Sequence, residues 1–277
     1  MTNLPDKIFG IDVESAYKKI LSEKNPEKPP KNPKPETPKI DATISSPAKY
    51  LILPGQTHGS YSYPDLLVAA ETTYQNKNWN QAHEELKKED SFMLNPRQFA
   101  DFLKLLKSGN AFDGNKNKVD SKELEQILKD ILEIRNPWRS EWLDHKYSSK
   151  SKGLFKGSQL CVTYHKFDSS GKLVEVTEDL DSDTLMEDKT PGIHLEEWIN
   201  NSNNQGLPRS RISDGGLYYW KPTEGRVAGF RAFADRVDLD CNRDPSGSNP
   251  AIGITLSLSR TLIFRLENTI FKLNLGK

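Results

Sequence analysis

The chain has 277 residues, enough for one large or two small domains with a sizeable core. Hydrophobic residues make up 35% and charged residues 28%, a polar balance that leaves part of the chain outside any packed core. Lys+Arg and Asp+Glu both number 39, so no electrostatic case for a nucleic-acid partner arises, and no apolar run reaches the roughly 18 residues of a membrane span.

The start, Met1 to Gly10, contains Asp6 and lacks the basic-then-apolar pattern of a signal peptide. Synthesis in the cytoplasm is expected, with a virus particle or a cell surface left open as the final location. Val13, Tyr17, Ile20 and Leu21 share one face of a short amphipathic helix within residues 1–24. That segment either packs on its own domain or tethers the chain to a partner. Residues 25–48 hold seven prolines among lysines and read as a semi-rigid polyproline spacer.

A folded region is expected over 49–277. Tyr50, Ile52 and Leu53 suggest a first strand, His58–Tyr63 a polar aromatic loop, and Pro64–Ala70 a helix begun by its proline. Gln81–Glu89 favours helix. Asn95 and Pro96 then cap and open a second helix with the stripe Phe99, Phe102, Leu103, Leu105 and Leu106, ended by Ser108-Gly109-Asn110.

Asp113, Asn115 and Asn117 alternate as in a calcium loop. Lys118 stands where that loop needs glycine and Leu124 where it needs glutamate, so a turn capping the helix Ser121–Ile134 is expected instead. Trp138, Trp142 and Tyr147 are expected to join helices to a sheet, and His145 to be a surface or hydrogen-bonded histidine. Leu160, Val162 and Tyr164 alternate against Cys161, Thr163 and His165 as a strand. Asp168–Gly171 then turns into Lys172–Val176 as a hairpin.

Residues 177–216 read as loop: an acidic solvated stretch over Glu178–Asp188, a short amphipathic turn at Leu195 and Trp198, and a loose tip at Asn200–Asn204. His58, His83, His145, His165 and His194 show no ligand spacing, so no metal or other cofactor is expected. Cys161 and Cys241 lack the spacing of a zinc site and read as buried thiols.

The informative stretch is Val227–Asn242. Ala228, Phe230, Ala232 and Ala234 alternate with Gly229, Arg231, Phe233 and Asp235, which is the period of a strand with one buried face. The apolar set then moves to Val237, Leu239 and Cys241. This one-residue phase change requires a bulge or tight turn at Asp235-Arg236. The outward set is Gly229, Arg231, Phe233, Asp235, Arg236, Asp238, Asp240 and Asn242. It offers an exposed aromatic among charges, the composition of a binding surface.

The region 218–254 resembles the variable region of proteins altered by diversity-generating retroelements, with particular similarity to those of archaeal viruses and nanoarchaea. The residues that carry the resemblance are Tyr218, Tyr219, Trp220, Gly225, Val227, Ala228, Phe230, Ala232, Leu239, Cys241, Pro245, Ser246, Ser248 and Gly253. The resemblance implies an α+β chain with a C-type lectin fold of the formylglycine-generating-enzyme type. It implies a non-enzymatic protein that binds an unknown macromolecular ligand, most simply a protein. The implied variable positions are the outward set together with Arg243, Asp244, Gly247 and Asn249. A formylglycine-generating-type oxidase and a virion attachment protein with a fixed ligand are the alternatives. The chain departs from the pattern after Ile254, where Leu256, Leu258, Leu262, Phe264 and Leu266 alternate as an added strand, a partner-binding tail or an appended stretch.

Overall fold

The computed structural model describes residues 47–88, 91–151 and 158–248 with side chains, and the backbone alone at 7–8, 11–12 and 252–259. The chain divides into two compact units, Met1–Lys39 and Ile40–Lys277. In the first, strands β1 (Lys7–Ile8) and β2 (Ile11–Asp12) pair antiparallel. The helix expected over Val13–Leu21 lies outside the described residues, as does the proline spacer up to Ser46.

The second unit is α+β. Its strands run β3 (Tyr50–Leu53), β4 (Gln56–His58), β5 (Tyr61–Tyr63), β6 (Leu66–Thr73) and β7 (Ser91–Met93) before the first long hairpin. Helix α1 (Trp79–Lys88) precedes β7; α2 (Pro96–Lys107) and α3 (Ser121–Leu132) follow it. Then come β8 (Arg139–Ser151), β9 (Ser158–Phe167), β10 (Leu173–Asp179), β11 (Lys189–Ile193), helix α4 (Leu195–Asn201), β12 (Leu217–Trp220), β13 (Val227–Ala232), β14 (Val237–Arg243) and β15 (Ile252–Ser259). Among the described residues, eleven strands join one mixed sheet, with the main path β11-β12-β14-β13-β8-β15-β6-β3.

Two expectations near the start are corrected. His58–Tyr63 is no loop: β4 and β5 form a hairpin, turned at Gly59, whose φ is +58°. Pro64 does not open a helix, because Leu66, Leu67 and Val68 are all buried. Such a run suits a strand covered on both faces. Asn95 behaves as read. Its side chain accepts from Gln98 N at 2.9 Å, while Gln98 Oε1 accepts from Asn95 N at 3.0 Å, closing a reciprocal cap. The α2 stripe is buried as expected, Leu105 only partly.

The sheet carries a core on each face. Leu143, Tyr147, Tyr219, Phe230 and Leu239 pack with α2, α3 and α4 residues such as Phe99, Leu103, Ile131 and Trp198. Trp142 and Val227, chain neighbours of inward Leu143 and Ala228, point the other way and meet Trp79, Ala82 and Leu86 of α1. Near α4, Asn203 is 1% exposed rather than a loose tip. Its Oδ1 accepts from Gln205 N and Leu207 N at 3.1 and 2.9 Å, and its Nδ2 donates to Thr184. Gly206, at φ +78°, lets this turn press on α2, since a Cβ there would sit 2.0 Å from Arg97 N.

The Asp113 loop is closed by its own groups: Asp113 Oδ1 accepts from Asn115 N and Asn117 N at 2.9 and 2.8 Å. The acidic stretch is less solvated than expected, with Leu180, Thr184 and Leu185 buried and Asp183 paired to Arg209 and Ser210. Of the two readings of His145, the hydrogen-bonded one fits: it is buried, with Tyr147 Oη 3.5 Å from its Nδ1, and burial pulls its imidazole down to about 3, with Asp144 opposing. Cys161 and Cys241 are free and buried. Residues Ile252–Ser259 form a strand that pairs with β6 and β7 antiparallel and β8 parallel. Leu262, Phe264 and Leu266 lie outside the described residues.

Candidate functional site

The phase change in Val227–Asn242 is a hairpin. Strands β13 and β14 pair antiparallel from Ala232↔Val237 to Gly229↔Asp240, and Phe233 N donates to Arg236 O at 2.8 Å across the Ala234-Asp235 turn. Strands β12 and β8 flank it. In register, Tyr218, Asp238, Arg231 and Ser140 form one row across the sheet, and Trp220, Asp240, Gly229 and Trp142 form the next. The opposite side, with Tyr219, Phe230, Ala232, Leu239 and Cys241, is core.

The outward face divides along its length. At the turn, Asp235 is exposed, and Arg231, Phe233 and Arg236 are half-buried. The Arg231 and Arg236 guanidinium groups lie 4.8 and 4.9 Å from the Phe233 ring centre, and the Trp138 ring is 5.6 Å from it. Arg236 also reaches Asp235 at 2.9 Å. Asn242 and Asp244 are exposed and Gly247 is half-buried, while Asn249 lies outside the described residues.

The middle of the same face is closed. Gly229, Asp238, Asp240 and Arg243 are buried, against expectation. Asp238 is 0% exposed and accepts from Arg231 Nη2 at 3.0 Å and Arg236 Nε at 3.1 Å; Arg231 also pairs with Asp240. Burial raises the Asp238 carboxyl, with both arginines pulling against it. A bulge between Gly229↔Asp240 and Val227↔Arg243 changes the phase a second time and returns Arg243 to this face. Its guanidinium stacks 3.9 Å from the Trp142 ring centre and donates to Ser140 Oγ. A Cβ on Gly229 would stand 2.7 Å from Arg243 Cδ and 2.9 Å from Glu141 O.

Farther along the same face, past Trp142, lies a cleft of about 1230 Å³ lined by residues including His83, Lys87, Lys146, Thr163, His165 and Glu175. The register Lys146↔Thr163 brings Asp144 opposite His165, and α1 lays His83 above them. His165 donates its backbone N–H to Asp144 Oδ2 at 2.7 Å, and its Nδ1 is 3.1 Å from the same oxygen. His83 Nε2 is 3.3 Å from Asp144 Oδ1. Burial alone would raise the Asp144 carboxyl, but the neighbouring His165 and His83 outweigh it and hold it well below the usual range. Burial works against the charged His165 imidazole, yet Asp144 holds it above its ordinary value. These residues come from α1, β8 and β9, so their sequence separations carry no ligand pattern. The one signal legible in the chain is that His165 sits in an alternating strand.

Comparison with protein families, with curated proteins and with solved structures returned no match.

Proposed function

We propose that the chain is a non-enzymatic ligand-binding protein of the C-type lectin fold, formylglycine-generating-enzyme type, whose β13–β14 hairpin presents retroelement-diversified positions to a macromolecular target, most simply another protein. The observation that carries the reading is Phe233. It is a half-exposed aromatic at a hairpin turn, with two guanidinium groups over its ring, on strands whose other side is core. Such a residue supplies apolar area and directional donors together, the usual composition of a binding anchor. The turn end, with Arg231, Phe233, Asp235 and Arg236, and the outlying Asn242 and Asp244 form the contact surface. Gly229, Asp238, Asp240 and Arg243 form its foundation. The N-terminal segment and proline spacer serve as a tether.

Binding is favoured over oxidase chemistry by the state of the thiols. Burial pushes Cys241 far above the usual thiol range, and the neighbouring Asp240 adds to the rise, which suppresses the thiolate that cysteine chemistry needs. Among the described residues, no helix is long and apolar enough to cross a membrane.

The test is deep sequencing of codons 215–254 in a population carrying the gene. Substitutions should gather at Arg231, Phe233, Asp235, Arg236, Asn242 and Asp244, in codons that a template repeat writes with adenine. Invariance of Phe233 and Arg231 equal to that of Phe230 and Cys241 overturns diversification and leaves a fixed-ligand attachment protein.

A further inference from the structure

We propose that His83, Asp144 and His165 form a binding site for one divalent transition-metal ion of the zinc class, with its open coordination positions facing the cleft. Among the described residues this is the group of histidines and carboxylates whose donor atoms converge, all within 4.8 Å of one another.

Three observations carry the assignment. The first is spacing. Zinc bonds of about 2.0–2.1 Å in tetrahedral array place neighbouring ligand atoms about 3.3 Å apart. His83 Nε2 stands 3.3 Å and His165 Nδ1 stands 3.1 Å from the Asp144 carboxylate oxygens. The second is an unmet nitrogen. His83 Nε2 is buried and reaches Asp144 Oδ1 at 3.3 Å as a charge contact, with no well-directed hydrogen bond. A buried polar atom without a partner is costly unless something else satisfies it. Charge pairing with Asp144 brings both histidines to the carboxylate but leaves His83 Nε2 without a directed hydrogen bond.

The third is support around the ligands. Asp144 is 1% exposed and oriented by the His165 backbone N–H. The His83 ring lies 4.1 Å from that of Trp79, whose Nε1 donates to Leu143 O at 3.0 Å. Outer partners of this kind fix ligand orientation in metal sites. Two imidazoles and one carboxylate suit zinc, iron(II), cobalt or nickel over the hard cations calcium and magnesium, which prefer all-oxygen sites. Three protein ligands leave at least one position for water or a donor entering from the cleft.

The experiment uses the full chain, treated with a chelator and then titrated by calorimetry with Zn²⁺, with Mg²⁺ as the hard-ion control. Co²⁺ absorption reports coordination independently. The expected result is one Zn²⁺ per chain, no Mg²⁺ signal, and affinity lowered at least tenfold in both His83→Gln and His165→Gln. Each variant is first shown to keep the native melting temperature without metal; if one fails that check, the other decides. Absence of stoichiometric Zn²⁺ binding, or unchanged affinity in a folded variant, overturns the site.

Discussion

The hairpin turn and the histidine cleft occupy the same face of one sheet, with Trp142 between them, yet they differ in how they are built. The hairpin is made from neighbours in sequence. Its chemistry follows strand periodicity, and its ion pairs fall within a span from Arg231 to Asp240. The cleft is made from three elements that only the fold brings together, and its central carboxylate is sealed beneath its histidines. A local surface accepts substitution wherever its side chains reach solvent. A site assembled over long range tolerates none of its members being lost. Within the hairpin a second contrast runs between the open turn and the closed middle, and several measurements can break or sharpen it.

The largest effect is expected at the shared foundation. Phe230→Ala should cost about 3–5 kcal/mol, the range for a buried aromatic, whereas Phe233→Ala, three residues on, should cost less than half as much. Urea denaturation of both variants compares one residue type in the core and at the turn of one hairpin, and equal losses would erase the distinction. Gly229→Ala comes next, at about 1–3 kcal/mol, because the added methyl meets both Arg243 and the Glu141 carbonyl. A loss near zero in melting temperature would mean that position 229 is as free as the turn.

The Asp238 carboxyl gives a smaller, pH-dependent effect. Burial raises it in the fold, so the folded state holds this proton more tightly than the unfolded chain does. Its contribution is therefore complete below the unfolded value and is lost as pH rises through the folded one. Asp238→Asn removes that loss. The variant's cost relative to the native chain should shrink as pH climbs through the carboxylate range, followed by urea unfolding at a series of pH values. A cost that grows over that interval would show the arginines outweighing burial. The smallest effects belong to Asp235→Ala and Asn242→Ala, each within about 0.5 kcal/mol by thermal melting, as for exposed side chains generally.

Much of the fold was readable because it rests on local rules. The Asn95-Pro96 cap, the α2 stripe, the β9–β10 hairpin and the β13–β14 phase change all follow from residues a few positions apart. The failures share a cause. Leu66–Val68 reads as helix or strand until one knows that both of its faces are covered. The Asn203 turn looks loose because its burial rests on distant segments, Thr184 on one side and α2 at Gly206 on the other. In the candidate surface, alternation assigned Gly229, Asp238 and Asp240 to the correct face, and the structure places them there. Periodicity gives the side of a sheet but not what lies over it, and Arg231, Arg236 and Arg243 close that part. Arg243 stands on the expected face but is buried there, because its guanidinium lies over Trp142 and bonds to Ser140, two residues of a distant strand. The histidines went unrecognised since ligand spacing is a local pattern and this cluster has none.

The most direct test is a saturation scan of residues 227–247 with resistance to proteolysis as the readout of folding, independent of any ligand. Positions 233, 235, 242 and 244 should accept most side chains, 231 and 236 fewer because they pair with buried Asp238, and 229, 230, 238, 239, 241 and 243 the fewest. If the first and last sets tolerate substitution equally, or if Phe233 proves as restricted as Phe230, the hairpin does not separate a free surface from a fixed foundation, and the account of it as a diversified binding face is wrong.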